Sequence, residues 1–255
     1  MEIIDTHCHL DVAAFDPDRQ AVLDRARAGG VVGIIVPGIA ASGWDAVETL
    51  CATAEDLYPA FGLHPVCLER HADADLERLE SRLADRRPVA VGEIGLDFFI
   101  EDPDRSRQQF LFEAQLVAAR DAGLPVILHV RKAHDQVLAT LKRIRVRGGT
   151  AHAFNGSLQQ ARQYIDLGFK LGFGGMLTYT RSTKLRALAR NLPREAIVLE
   201  TDAPDMTVAR HRGARNSPEY LPDCLTALAG VRAEEVATVA RQTTANAREV
   251  FSLSA

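Results

Sequence analysis

Short apolar, β-branched runs recur along the chain at residues 3–4, 31–36, 57–63, 89–94, 125–130, 150–154, 169–173 and 197–199. They are nearly continuous rather than alternating with polar residues. That pattern predicts eight strands buried on both faces, as in a parallel sheet. Between them lie helical patterns. Leu76, Leu79 and Leu83 recur at i, i+3, i+7, and Phe110, Ala114, Val117 and Ala118 at i, i+4, i+7, i+8. Glycines stand where helices should end and strands begin: Gly29-Gly30, Gly123, Gly148-Gly149 and Gly168. Ser217-Pro218 reads as the N-cap and first residue of a late helix, and two more helices are expected at about 233–241 and 244–250. Eight β-α units in one chain predict a (β/α)8 TIM barrel, an α/β fold with extra C-terminal helices, as a single domain over residues 1–255. The rival is a doubly wound open sheet. It would usually carry a glycine-rich phosphate loop after its first strand, where this chain reads Asp5-Thr6-His7-Cys8-His9.

Composition agrees with one ordinary soluble domain. Hydrophobic residues make up 47% and charged residues 25%, which excludes disorder and collagen-like structure. The net charge of −4 argues against a broad electrostatic grip on nucleic acid but leaves room for a small basic mouth. Cys8, Cys51, Cys67 and Cys224 are far apart with no C-x-x-C, as expected in a reducing compartment. The N-terminus lacks the basic and apolar regions of a signal peptide. The longest apolar stretch, 31–41, is too short to span a bilayer and is broken by Gly33, Pro37 and Gly38. A cytoplasmic protein with no membrane association is expected, and nothing points to a stable protein partner.

Polar residues sit where the apolar strands stop. His7 and His9, at i, i+2, can converge on one point because alternate strand residues share a face. Glu93 lies in strand 4, His129 follows strand 5, His152 strand 6 and Asp202 strand 8, while His64 closes strand 3. Each alone has a bland reading as a hydrogen-bonded or ion-paired residue. Yet a buried imidazole or carboxylate is costly without a partner. His7, His9, Glu93, His129, His152 and Asp202 come from five strands, all near the C-terminal ends, which meet in one ring in a closed barrel. Four imidazoles and two carboxylates suit one or two divalent metals. Closing the barrel makes strands 1 and 8 neighbours. His7, His9 and Asp202 would then share one ion with Glu93, and His129 and His152 would hold the other, with Glu93 as the bridge. Asp202 is the candidate to orient a water and take its proton, whether or not it is also a ligand. Mg, Mn, Zn, Ni and Co all suit such a set.

Rival chemistry finds little footing. There is no G-x-S-x-G elbow, P-loop or G-x-G-x-x-G. Cys8 should point away from its flanking histidines and reads as a small buried hydrophobe.

The same residues fall in longer motifs. Asp5-Thr6-His7-Cys8-His9-Leu10-Asp11, Gly62-Leu63-His64-Pro65 and Gly92-Glu93-Ile94-Gly95-Leu96-Asp97 resemble the TatD family of metal-dependent deoxyribonucleases, within the amidohydrolase-like barrels. So do Leu128-His129-Val130-Arg131, His152-Ala153-Phe154-Asn155-Gly156-Ser157, Glu200-Thr201-Asp202-Ala203-Pro204 and Arg212-Gly213-Ala214-Arg215-Asn216-Ser217-Pro218. The resemblance runs in order along nearly the whole chain. It implies a (β/α)8 fold, two divalent metals on the six residues above, and phosphodiester hydrolysis of DNA, in several members as a 3′-to-5′ exonuclease. Two departures mark a subgroup: His152-Ala153-Phe154-Asn155-Gly156 replaces His-Cys-Phe-Ser-Gly, and Ala203-Pro204-Asp205-Met206 replaces the usual Ser-Pro-Tyr after Asp202.

Substrate contacts are read from the strand ends. Arg131 suits a phosphate oxygen, or a salt bridge to Asp97. His64 suits a phosphate or leaving oxygen, or a structural hydrogen bond. Arg210, His211, Arg212 and Arg215 form a basic loop after strand 8, a candidate landing site for single-stranded DNA ends. Phe98, Phe99, Phe154 and Tyr179 are the aromatics near strand ends, with core packing expected for Phe154. A metal-dependent nuclease is the favoured reading. A metallohydrolase of a small ester, lactone or amide is the alternative, and a non-catalytic barrel would be expected to have lost ligands.

Overall fold

Eight strands pair in parallel and in sequence order: β1 (Ile3–Asp5), β2 (Val31–Gly38), β3 (Leu57–Phe61), β4 (Ala90–Asp97), β5 (Val126–Arg131), β6 (Gly149–Ala151), β7 (Phe169–Phe173) and β8 (Ile197–Leu199). They come from a computed structural model that describes residues 1–86 and 88–254. The ring closes between β8 and β1 through bonds that continue past both strands. Thr6 N–H donates to Leu199 O at 3.0 Å, Asp202 N–H to His7 O at 2.8 Å and His9 N–H to Ala203 O at 2.8 Å. Closure therefore happens at the level of the candidate ligands and places His7, His9 and Asp202 side by side.

The helices α1 (Arg19–Ala28), α2 (Trp44–Cys51), α3 (Ala74–Arg86), α4 (Arg105–Asp121), α5 (His134–Arg143), α6 (Leu158–Asp166), α7 (Thr183–Asn191) and α8 (Leu221–Arg232) alternate with the strands, and α9 (Val236–Phe251) follows. Gly123 and Gly168 end α4 and α6 with φ of +68° and +86°, as their positions predict. Leu79 and Leu83 of α3 are buried.

Two expectations are corrected. The residues at 233–241 and 244–250 do not form two helices. Ala233 takes the left-handed conformation that ends α8, and α9 then runs unbroken. The side-chain hydroxyl of Thr243 accommodates itself inside α9 by donating to Val239 O. In α4, Phe110 is half exposed, and the inward face is instead Gln108, Leu111, Phe112, Gln115 and Leu116. The two glutamines fasten strand ends. Gln108 exchanges two hydrogen bonds with the backbone of Asp97, at 2.8 and 2.9 Å, and Gln115 does the same with Leu63, at 2.6 and 3.2 Å.

The end of the barrel opposite the site is sealed by α9. Val250 and Phe251 pack with Ile35, Ala60, Ala90 and Ile127, inward residues of four successive strands. Burying such a phenyl contributes about 2–3 kcal/mol. Asn246 fixes the same end by donating to Arg194 O and Ile197 O, both at 2.7 Å.

Candidate metal centre

Glu93 sits at the axis of the open end, 1% exposed, where the β4–β5 register slips between Val91 and Ile94. Such a slip re-aims a strand side chain. Just past the slip only glycine fits at Gly95, where a Cβ would lie 2.0 Å from His129 O at a φ of +144°. The two carboxylate oxygens of Glu93 face different partners. Oε2 lies 3.2 Å from His7 Nε2 and 3.4 Å from His9 Nε2. Oε1 lies 2.9 Å from both His129 Nδ1 and His152 Nε2. Asp202 completes the first half, its Oδ1 3.7 and 3.8 Å from the same His7 and His9 nitrogens. His7 and His152 stack at 4.0 Å between ring centroids, joining the halves. All six residues expected as ligands thus converge.

The imidazoles are oriented from behind. His9 Nδ1 points at Pro37 O, 3.3 Å away, so it carries the proton and leaves a lone pair on Nε2. His129 Nε2 faces Asp97 Oδ2 at 2.9 Å, which frees Nδ1 toward Glu93. His64 is wired the other way. Its Nδ1 accepts the Val66 amide hydrogen at 3.1 Å, so in the neutral ring Nε2 carries the proton and donates to Glu93 Oε1 at 3.1 Å. Although His64, Glu93 and His129 offer atoms close enough for an ion, this tautomer makes His64 a donor. Burial pushes its pKa down to about 4, so the ring is neutral.

The donor set fits divalent cations. Imidazole nitrogens face one another at 3.2 Å (His7–His9) and 3.3 Å (His129–His152), each pair beside a carboxylate oxygen of Glu93. Burial opposes ionisation of Glu93, but His64, His152, His7 and His129 outweigh it and hold its carboxyl well below the usual range. Asp202 is held above its usual range, chiefly by burial.

The centre opens into a cavity of about 1030 Å³ whose lining includes Arg131, Asn155, Arg181, Lys184, Asp205 and Met206. Arg131 thus lies where the sequence places it, half exposed and 3.8 Å from Asp97 Oδ2. Arg212 is exposed and is not among the lining residues. Its loop is fastened elsewhere: Arg210 pairs with Asp223 at 3.0 Å, Arg215 pairs with Asp18 at 2.8 Å, and His211 stacks on Tyr220. Phe154 is buried in the core and Cys8 is fully buried, both as expected.

Sequence reading missed four contributors: Asp97 as the orienting carboxylate, Glu200 behind His152, and the cavity cations Arg181 and Lys184. Asp97 had a signal, because positions 93, 95 and 97 share a strand face. Glu200 accepts the Ala153 amide hydrogen at 2.5 Å, and burial pushes its pKa up to about 8. Arg181 and Lys184 follow a 3-10 turn after β7 that no apolar period announces.

Residues 4–252 match the family model for TatD-related DNases. The chain is 44% identical to an Escherichia coli K12 protein named as the uncharacterized metal-dependent hydrolase YjjV, over 98% of each chain. The crystal structure of YjjV, a TatD homologue, superposes with a TM-score of 0.95 at 43% identity, covering 99% of this chain and 98% of that one. A Klebsiella pneumoniae protein named 3′-5′ ssDNA/RNA exonuclease TatD is 33% identical over 98% of both.

Proposed function

This chain belongs to the TatD-related DNase family of metal-dependent hydrolases, and from that premise we propose that it cleaves DNA phosphodiesters, removing nucleotides from single-stranded ends in the 3′-to-5′ direction. The observation that carries the reading is the division of Glu93: one oxygen for the His7–His9 pair, the other for His129–His152. His7, His9, Asp202 and Glu93 Oε2 would hold one divalent ion, and His129, His152 and Glu93 Oε1 a second. When bound, such ions acidify a water and offset charge on phosphoryl oxygens.

The chain's own groups supply the rest. Asp202, part-exposed toward the cavity, takes the proton of the attacking water on its carboxylate. His64 spends its one Nε2–H on Glu93 Oε1, and its low pKa keeps the ring a neutral donor that orients that carboxylate. Arg131, Arg181 and Lys184 line the cavity with positive charge suited to a polyanion. The exonuclease direction and preference for single strands follow the name of the 33% identical relative.

The test is metal-reconstituted protein on end-labelled single-stranded DNA, linear and circular, beside a panel of esters, lactones and amides. Stepwise release of mononucleotides from linear DNA, abolished by EDTA and far slower on the circle, is expected. Robust ester or amide turnover with no phosphodiester cleavage in Mg, Mn, Co, Ni or Zn would overturn the reading in favour of a small-molecule hydrolase.

A further inference from the structure

We propose that Phe99, stacked against Arg131 of the metal cavity's lining, is a nucleobase-stacking plate; the proposal rests on the nucleic-acid reading above. Phe99 is 58% exposed. A phenyl left open to water forgoes hydrophobic burial, so its placement calls for a reason. Among the described residues the other exposed phenylalanine, Phe110, lies on the outward face of α4 beneath Arg107. Phe99 instead follows β4 directly, two residues past Asp97.

Its backbone is tied to the site. The Phe99 amide donates to Asp97 Oδ1 at 2.8 Å, and the other oxygen of that carboxylate holds His129. The neighbouring Phe98 amide donates to Arg131 O at 2.9 Å, extending the β4–β5 ladder by one bond. The aromatic is therefore set in register with a ligand of the proposed metal centre. The Arg131 guanidinium carbon lies 4.3 Å from the Phe99 ring centroid and the Lys132 ammonium 6.0 Å away. Arg131 also lines the cavity. A phenyl ring 58% exposed, with Arg131 of the cavity lining over it, offers both halves of a nucleotide what they require: stacking for the base and positive charge for the phosphate. A base inside a duplex already has neighbours on both faces, whereas an unpaired base is free to lie flat on the plate. Selection for single strands would then be made at Phe99 and the hydrolysis at Glu93 and Asp202.

Two measurements test this. On single-stranded DNA, Phe99→Ala should raise KM about tenfold, Phe99→Trp should keep it near that of the unaltered protein, and neither should alter bound metal. On a strand whose terminal nucleotides are abasic, the Phe99→Ala penalty should vanish. Second, Phe99→Trp in an Asp202→Asn background places an exposed indole beside the native Trp44, which is fully buried. Its fluorescence should be quenched by a single strand, but not by an abasic strand of equal length. An unchanged KM in Phe99→Ala, an equal penalty on abasic strands, or fluorescence that saturating single strand does not move would each overturn the plate. No cleavage of any oligonucleotide by the unaltered, metal-loaded protein would sink the nuclease reading instead, and the fluorescence measurement would still decide for or against stacking.

Discussion

Asp97 Oδ2 lies 2.9 Å from His129 Nε2, and this bond selects the tautomer that turns Nδ1 toward Glu93. Burial opposes ionisation of Asp97, but the hydrogen bonds from His129 and the Phe99 amide outweigh it and hold the carboxyl below its usual range. A carboxylate behind a ligating imidazole raises its basicity and fixes its plane. Asp97→Asn should therefore weaken metal binding about 10–100-fold, with activity recovered at high metal concentration. Calorimetric metal titration reads this directly, and an unchanged affinity would remove Asp97 from the centre.

The proton-accepting role proposed for Asp202 is separable from its contribution as a ligand. Asp202→Asn keeps an oxygen of similar shape and loses the base. The expected result is a fall in kcat of about 10²–10⁴-fold with KM on single-stranded DNA little changed. A variant that retains its kcat would assign the proton to another group.

The cations that face the cavity can be separated from those that only look basic in sequence. Arg181 and Lys184 line it, whereas Arg210 and Arg215 are held by Asp223 and Asp18. Arg181→Gln with Lys184→Gln should raise KM on oligonucleotides and flatten the log–log salt dependence by about 0.7 for each phosphate no longer neutralised. Arg210→Gln with Arg215→Gln should leave both quantities alone and lower Tm. The reverse outcome would return the landing site to the loop after β8.

His134 predicts part of the acid sensitivity. Its Nδ1 lies 3.2 Å from the Tyr164 hydroxyl and its Nε2 3.2 Å from Asn155 Oδ1. Burial pushes its pKa below the ordinary value of 6.5. The unfolded chain therefore takes up this proton first as pH falls. The stability contributed by the neutral ring is complete above pH 6.5 and is lost as pH falls through the lower folded-state value. Denaturant titrations between pH 7.5 and about 5 should show a shallower loss in His134→Gln than in the unaltered protein. Identical slopes would mean that His134 carries no proton linkage.

The barrel was legible because strands buried on both faces are apolar throughout, and all eight runs became strands at nearly the expected places. The six converging residues were legible because each interrupts such a run at its C-terminal end. What escaped was polar structure turned inward from helices. Gln108 and Gln115 occupy the buried face of α4 to hold the ends of β4 and β3, so an apolar period drawn through Phe110 selects the wrong side. The basic loop misled for a related reason: charge is visible in sequence, but the pairing that engages it is not, least of all that of Arg215 with Asp18 at the far end of the chain. His64 was found, yet its role as donor depends on one backbone amide, that of Val66.

Metal content decides whether one carboxylate, Glu93, serves two metal positions. Unaltered protein and Glu93→Ala, both equilibrated with the same divalent metal and freed of excess, would be compared by elemental analysis with a circular-dichroism check on folding. Two equivalents per chain are expected in the unaltered protein, and a loss at both positions in folded Glu93→Ala, with hydrolysis abolished. Two full equivalents retained by Glu93→Ala would contradict that shared role.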